Sequence, residues 1–414
     1  MTSAAGPAVP SGYRWAILSV FFLVMCLSGV GNFIFPAIST FIADDLGLSA
    51  SQIGMLGAAP FFGALLFNLV AGYVVDRLGV RRSAAVCGSA LTAFFLLSTL
   101  TTRFEVLLFL AVSLGVAMSF LNPLTQKGAY LWFPPREFGL AVGVKQSGIP
   151  AGSAANAAFL PIICAIFGWQ GGFLAGAIAA AVITILVVGI YRDPVRADGK
   201  RAPVEAPKLI HVLEPATRLG PFLIGLIGFT HGALTISAVN FFIPVLRDFQ
   251  VDVIVAGAYL ALAQFISVFA RPVIGLVSDR LGSTGRATFL GGYVALGAAL
   301  FALTPLLLPS AQAPIALLAL AIGLGLVNSW SGLYYAAISE VGGAGRVGVS
   351  TSFGALANSL GTSTGPVLFG IIADQTGSWT PGMLILAALS IVSGLLCASF
   401  ARRKPQDRPS NEVA

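Results

Sequence analysis

Twelve runs of mostly apolar residues follow one another through this chain, near 15–42, 52–75, 83–101, 105–133, 139–166, 169–191, 219–246, 253–278, 288–308, 313–339, 347–373 and 379–401. Each is long enough to cross a bilayer as a helix, which takes about 20 residues. Hydrocarbon offers no hydrogen-bond partner to the backbone, so such runs must satisfy their own N–H and C=O groups as helices. The expected fold class is therefore an all-α membrane protein with twelve transmembrane helices. Composition agrees, with 57% hydrophobic and 9% charged residues, far from the quarter or so charged in soluble domains. Cys26, Cys87, Cys164 and Cys397 all sit inside apolar runs, so they offer neither a disulfide framework nor a zinc spacing. The first thirteen residues lack both the basic and the apolar region of a cleavable leader.

The runs fall into two similar halves. Residues 72–79 read Gly-Tyr-Val-Val-Asp-Arg-Leu-Gly and residues 275–282 read Gly-Leu-Val-Ser-Asp-Arg-Leu-Gly, an offset of 203. Asn32-Phe33 with Pro36 recurs as Asn240-Phe241 with Pro244, and Gly143-Val144 with Pro161 recurs as Gly348-Val349 with Pro366. Landmarks repeating in chain order at nearly one offset indicate a duplicated architecture. The expected organisation is a tail over 1–13, a six-helix half over 14–191, a charged, proline-containing linker over 192–218, a second half over 219–401 and a tail over 402–414.

Basic residues set the expected orientation. With twelve spans both termini share a side, and the Arg and Lys residues outside the spans cluster there, leaving only Arg103 and Arg247 opposite. The positive-inside rule then makes both termini cytoplasmic in a multi-pass inner-membrane protein.

Lys127, Lys145 and Arg271 are the basic residues left inside predicted spans, whereas all sixteen acidic residues map to loops, tails or span ends. A charge at a helix centre costs about 2.5–3.5 kcal/mol on insertion scales, so intramembrane cations face a wet cavity and mark function. Without a carboxylate to pair with, they suit an anion. Lys127 and Lys145 each lie six residues from the nearer end of their spans, roughly 9 Å deep, and Arg271 lies about 12 Å deep from the same surface. Lys127 could equally snorkel to that surface. Gln146 beside Lys145 and the amides Asn32, Asn240 and Asn358 are the polar candidates for substrate contact, with helix-to-helix hydrogen bonding as their structural alternative. His231 is the one membrane histidine and the candidate for proton coupling, although a lone histidine also serves as a packing residue.

The repeated turn and the two halves of six resemble the major facilitator superfamily. That resemblance implies a central cavity lined by the first, fourth, seventh and tenth helices, exposed alternately as the halves rock. It also implies a gating role for Gly72, Asp76, Arg77, Gly79, Arg81 and Arg82, with Asp279 and Arg280 as the degenerate second copy. Phe269-Ala270-Arg271-Pro272 with Gly275-Leu276 is similar to the eighth helix of monocarboxylate porters, whose arginine binds the substrate carboxylate. Ser267 stands where those porters carry an acid. Lys145-Gln146-Ser147-Gly148 resembles a stretch in bacterial organic-anion permeases.

These resemblances imply a secondary transporter of a small organic anion, a carboxylate, moved by alternating access with a proton as coupling ion. Its partners would be that solute and the lipid bilayer, with no cofactor, no metal and no nucleic acid, and it would act as a monomer. No nucleophile, base and orienting group converge, which argues against an enzyme, and no Walker A pattern is present. The alternatives are an efflux pump for apolar or drug-like compounds and a transporter-like membrane sensor.

Overall fold

A computed structural model describes residues 12–133, 141, 144–192, 214–279, 281–341 and 347–402. Among them, helices occupy every run expected to span the membrane, and there is no strand. Eleven helices are long and apolar enough to cross a bilayer. One of these, Gly148–Ile190, is continuous except at Gly168, where φ is 70° and ψ 174°. Forty-three residues at 1.5 Å each would reach about 65 Å, twice the hydrocarbon thickness. The left-handed glycine therefore joins two spans, 144–167 and 169–190, and the described residues hold twelve.

The chain divides into two compact units, Met1–Gly47 with Ala59–Pro207, and Leu48–Ala58 with Lys208–Ala414. Most of the expected linker, 193–213, and the tails, 1–11 and 403–414, lie outside the described residues. So does Arg280, and so do the side chains of Asp76 and Asp279 and the surroundings of Gly72. Gly79 takes φ 83° and starts the third span, Val80–Ser98. Arg81 Nε donates to the Val188 carbonyl at 2.9 Å, tying the third span to the sixth, while Arg77 and Arg82 are exposed.

Within each unit the first and fifth of its six spans touch backbone to backbone. Gly148 and Gly152 lie so close to the first span, Tyr13–Leu46, that an added Cβ would stand 2.4 Å from the Phe22 oxygen and 2.0 Å from the Cys26 oxygen. In the second unit Gly361 and Gly365 of Val347–Thr376 press on Phe229 and Ala233 of Leu219–Asp248 in the same way, at 2.0 and 2.6 Å. Both pairs have the G-x-x-x-G spacing, which puts two small residues on one face and lets helices approach closely in lipid.

A second duplicated contact closes the far end of each unit. Trp169 Nε1 donates to Asp45 Oδ2 at 2.7 Å, and Trp379 Nε1 donates to Asp248 Oδ2 at 2.7 Å. Each clasp joins the end of a unit's first span to the start of its last. In the second unit, Asp374 also accepts from the backbone N–H groups of Ala50 and Ser51 at 2.8 and 2.9 Å. A carboxylate thus satisfies free donors at the start of the helix Ala50–Leu78.

The tryptophan clasps differ in burial, since Trp169 is 2% exposed and Trp379 lies nearer the surface. A hydrogen bond to a charged acceptor contributes about 1.5–3 kcal/mol, least where water competes. Asp45→Ala should lower stability within that range and Asp248→Ala by less, as thermal unfolding of the purified protein in detergent would report. Equal losses would contradict the role of burial.

Candidate functional site

Each unit holds one intramembrane cation in a polar cluster built where a span is interrupted. The fourth span consists of Phe104–Met118 and Leu121–Trp132, divided at Ser119 and Phe120. The tenth consists of Pro314–Val327 and Ser331–Val341, divided by a 3-10 turn at Asn328–Trp330. Breaks of this kind free backbone groups and are tolerated at membrane depth only inside protein or beside a wet cavity.

In the first unit, Lys145 is fully buried, and its Nζ donates to Asn122 Oδ1 at 2.9 Å and Thr125 Oγ1 at 3.1 Å. Gln146 Nε2 reaches the same Asn122 oxygen at 3.4 Å, while its own buried Oε1 has no partner among the described residues. Asn122 and Thr125 lie one turn apart just beyond the break in the fourth span, so one helix face presents both oxygens to the ammonium. Among the described residues the charge is held by neutral dipoles, with one N–H left for another acceptor. Lys127 is directed elsewhere, its Nζ donating to the Val75 carbonyl of the second span at 3.1 Å. Asn32 is half-buried and reaches Ser28 Oγ at 3.5 Å. Pro36, four residues on, cannot donate to the Asn32 carbonyl, and Phe33 between them leaves the helical region at φ −119°, ψ 17°.

In the second unit Gln264, Ser267 and Arg271 share one face of the eighth span, Val253–Asp279, and meet the break in the tenth. Arg271 Nη2 donates to the Asn328 carbonyl at 3.3 Å, whereas its buried Nε has no partner among the described residues. Asn328 Nδ2 donates to Gln264 Oε1 at 2.8 Å, and Ser329 Oγ to Ser267 Oγ at 3.1 Å. Arg271 is thus anchored at one nitrogen and retains donors for an anion.

Asn240 is 1% exposed and lies so close to Gly57 that a Cβ there would stand 1.7 Å from its Nδ2. Neither its Oδ1 nor its Nδ2 has a partner among the described residues. A buried amide left open at both ends requires water or solute to complete it. Asn358 hydrogen-bonds the Tyr335 side chain, and its Oδ1 lies over Gly232 without a partner among the described residues. His231, fully buried, has Nδ1 2.6 Å from Ser390 Oγ, Nε2 3.2 Å from the Val327 carbonyl, and the Trp330 ring edge-on at 5.1 Å. A carbonyl only accepts, so Nε2 carries the proton and Nδ1 accepts from the serine, which satisfies the neutral ring.

Asn122, Thr125, Gln264 and Ser329 do not stand out in the sequence. For Gln264 a signal does exist, the spacing of 264, 267 and 271 along one helix face. The pairing of Lys145 with Asn122 has none, because it depends on how two spans are rotated against each other.

A family model described as Major Facilitator Superfamily matches residues 20–355. Over 411 residues the chain is 26% identical to the hexuronate transporter of Bacillus subtilis (strain 168), covering 92% of this chain and 94% of that protein. It is 28% identical over 391 residues to the probable nitrate/nitrite transporter NarK2 of Mycobacterium tuberculosis, covering 92% and 94%. Among solved structures, a bacterial homologue of the human lysosomal transporter Spinster, inward-facing and unoccupied, superposes with a TM-score of 0.80 at 17% identity. That alignment covers 98% of this chain and 100% of the other, and it shows a shared fold.

Removing a buried charge is tolerated better than stranding it. Lys145→Met should therefore leave thermal stability unchanged or raise it, whereas Asn122→Ala should lower it by about 1.5–3 kcal/mol, the value of a hydrogen bond to a charged group. A destabilised Lys145→Met beside a neutral Asn122→Ala would reverse this account of the cluster.

Proposed function

Because the chain belongs to the Major Facilitator Superfamily and is a membrane transporter rather than an enzyme, we propose that it moves a small organic anion, a carboxylate, by alternating access. The observation that carries this reading is Lys145, a fully buried ammonium whose partners among the described residues are the neutral Asn122 and Thr125. A cation so placed keeps affinity for a negative ligand that an ion pair would have consumed. Arg271, held at one nitrogen by the Asn328 carbonyl, offers a second group, and its planar fork suits a carboxylate. The names of two relatives, a hexuronate and a nitrate/nitrite transporter, also point to anions.

Gln146, Asn240 and Asn358, each with an open polar atom, are assigned to solute contact, with Asn32 beside the kink of the first span. Lys127 has a lesser part, tethering the fourth span to the second through the Val75 carbonyl. Asp76, Arg77, Gly79, Arg81, Arg82, Gly72, Asp279 and Arg280 keep the gating role that the repeated turn suggests. Both termini are assigned to the cytoplasm by the basic residues on their side.

An anion entering against an inside-negative potential is opposed by about 2.3 kcal/mol per charge per 100 mV. Accumulation therefore needs a co-transported cation or an exchanged anion, and we assign a proton. Neutral His231 is already satisfied by Ser390 and Val327, so the proton travels with the substrate at the cationic site.

Uptake of labelled carboxylates into proteoliposomes tests the reading. Lys145→Ala and Arg271→Ala should each cut uptake at least tenfold, and Arg271→Lys should recover only part. Wild-type uptake in both alanine variants would reject the anion site, and binding without uptake would identify a sensor. An imposed proton gradient in sodium-free buffer should drive accumulation in the wild type and in His231→Gln alike. Stimulation by sodium alone would reject proton coupling.

A further inference from the structure

The second unit contains a crevice of about 420 Å³ between its seventh, ninth and tenth spans that has no part in anion transport as proposed above. It lies toward the end of the seventh span remote from the linker, where Ser237 to Leu246 form one wall. No charged side chain among the described residues lines it, and the hydroxyls of Ser237 and Thr304 are the polar side-chain groups there. It is therefore not a place for a small anion. Apolar cavities stay dry, and one of about 150 Å³ already takes up benzene. A dry space nearly three times larger would forgo many dispersion contacts if left empty.

The walls identify what fills it. Phe241, Phe369 and Met383 form a buried floor, 1%, 1% and 4% exposed, with Trp379 behind the two phenyl rings at 5.4 and 6.0 Å. Leu303, Leu307 and Ile322 form the rim and are exposed. Exposed apolar side chains on a membrane span face hydrocarbon, so the mouth opens into the bilayer. We infer that the crevice holds the acyl tail of a bilayer lipid, drawn from the leaflet opposite the linker. A flexible chain suits an opening among leucines, and the lipid glycerol and headgroup stay outside where no recognition is built. The tail packs against the aromatic floor and supports the seventh span beside the tenth, whose break carries the Arg271 partner Asn328.

Gly323 supplies the test, because it lines the crevice and a Cβ added there meets nothing within 4 Å. Gly323→Leu should therefore fill the space without disturbing the fold. The full chain would be reconstituted with phosphatidylcholine carrying a diazirine on its acyl tail, photolysed, and its adducts located by peptide mass spectrometry. Adducts are expected on the floor residues Phe369 and Met383 as well as on the rim. In Gly323→Leu the floor adducts should fall about tenfold while those on Leu303 and Ile322 persist, which also reports that the variant is folded. Rim adducts alone in the wild type, or floor adducts unchanged in Gly323→Leu, would overturn the assignment. Floor labelling by a water-soluble photoreactive aromatic but not by the lipid would overturn it too, giving the crevice to an apolar solute.

Discussion

Hydrocarbon cannot hydrogen-bond a peptide group, and the placing of polar function in this protein depends on that constraint. It forces helix everywhere else and so makes each interruption costly. The interruptions at Ser119 and Phe120, at Asn328–Trp330 and near Phe33 are where polar groups gather. Asn122 comes just after the first break and turns its side-chain oxygen to Lys145, and Asn328 lies in the second and gives its carbonyl to Arg271. At the second break a backbone carbonyl and the buried guanidinium satisfy each other, whereas beside the first it is the side chains of Asn122 and Thr125 that serve Lys145.

Duplication has preserved the frame and varied the charge. Both units keep a glycine seam between first and fifth spans, a tryptophan clasp between first and last, and an asparagine four residues before a proline. The cations do not correspond. At the repeat offset of 205, Lys145 is matched by Ser350 in the second unit, and Arg271 is matched by Asn68 in the first at the offset of 203. One unit presents an ammonium from its fifth span, the other a guanidinium from its second. The two groups also differ in kind, since lysine acts as a point charge and arginine as a planar fork.

Much of this was legible in the sequence, for reasons that also set the limit. Span number comes from apolar length, and the duplicated halves come from repeated turns, because both are one-dimensional signals. The depth of Lys145 and Arg271 could be counted at a fixed rise per residue. Their partners could not, because a span that is apolar on most faces gives little sign of how it is rotated about its axis. Thus Lys127 and Lys145, equally deep by count, reach the Val75 carbonyl and the Asn122–Thr125 pair respectively. His231 stands out in the sequence by its chemistry alone, and its serine and carbonyl partners come from the twelfth and tenth spans, far away along the chain.

The glycine joint at Gly168 bears on how the protein enters the membrane during synthesis. From Gln146 to Tyr191 no residue carries a charge, and the two spans within that stretch are separated by a single left-handed residue instead of a loop. Nothing at the joint can tell the insertion machinery which way to face. The pair is expected to partition as one hairpin, flanked by Arg136 before it and Arg192 after it, both on the basic side. The sixth span thus takes its orientation from charges outside the pair, at the two ends that share the basic side.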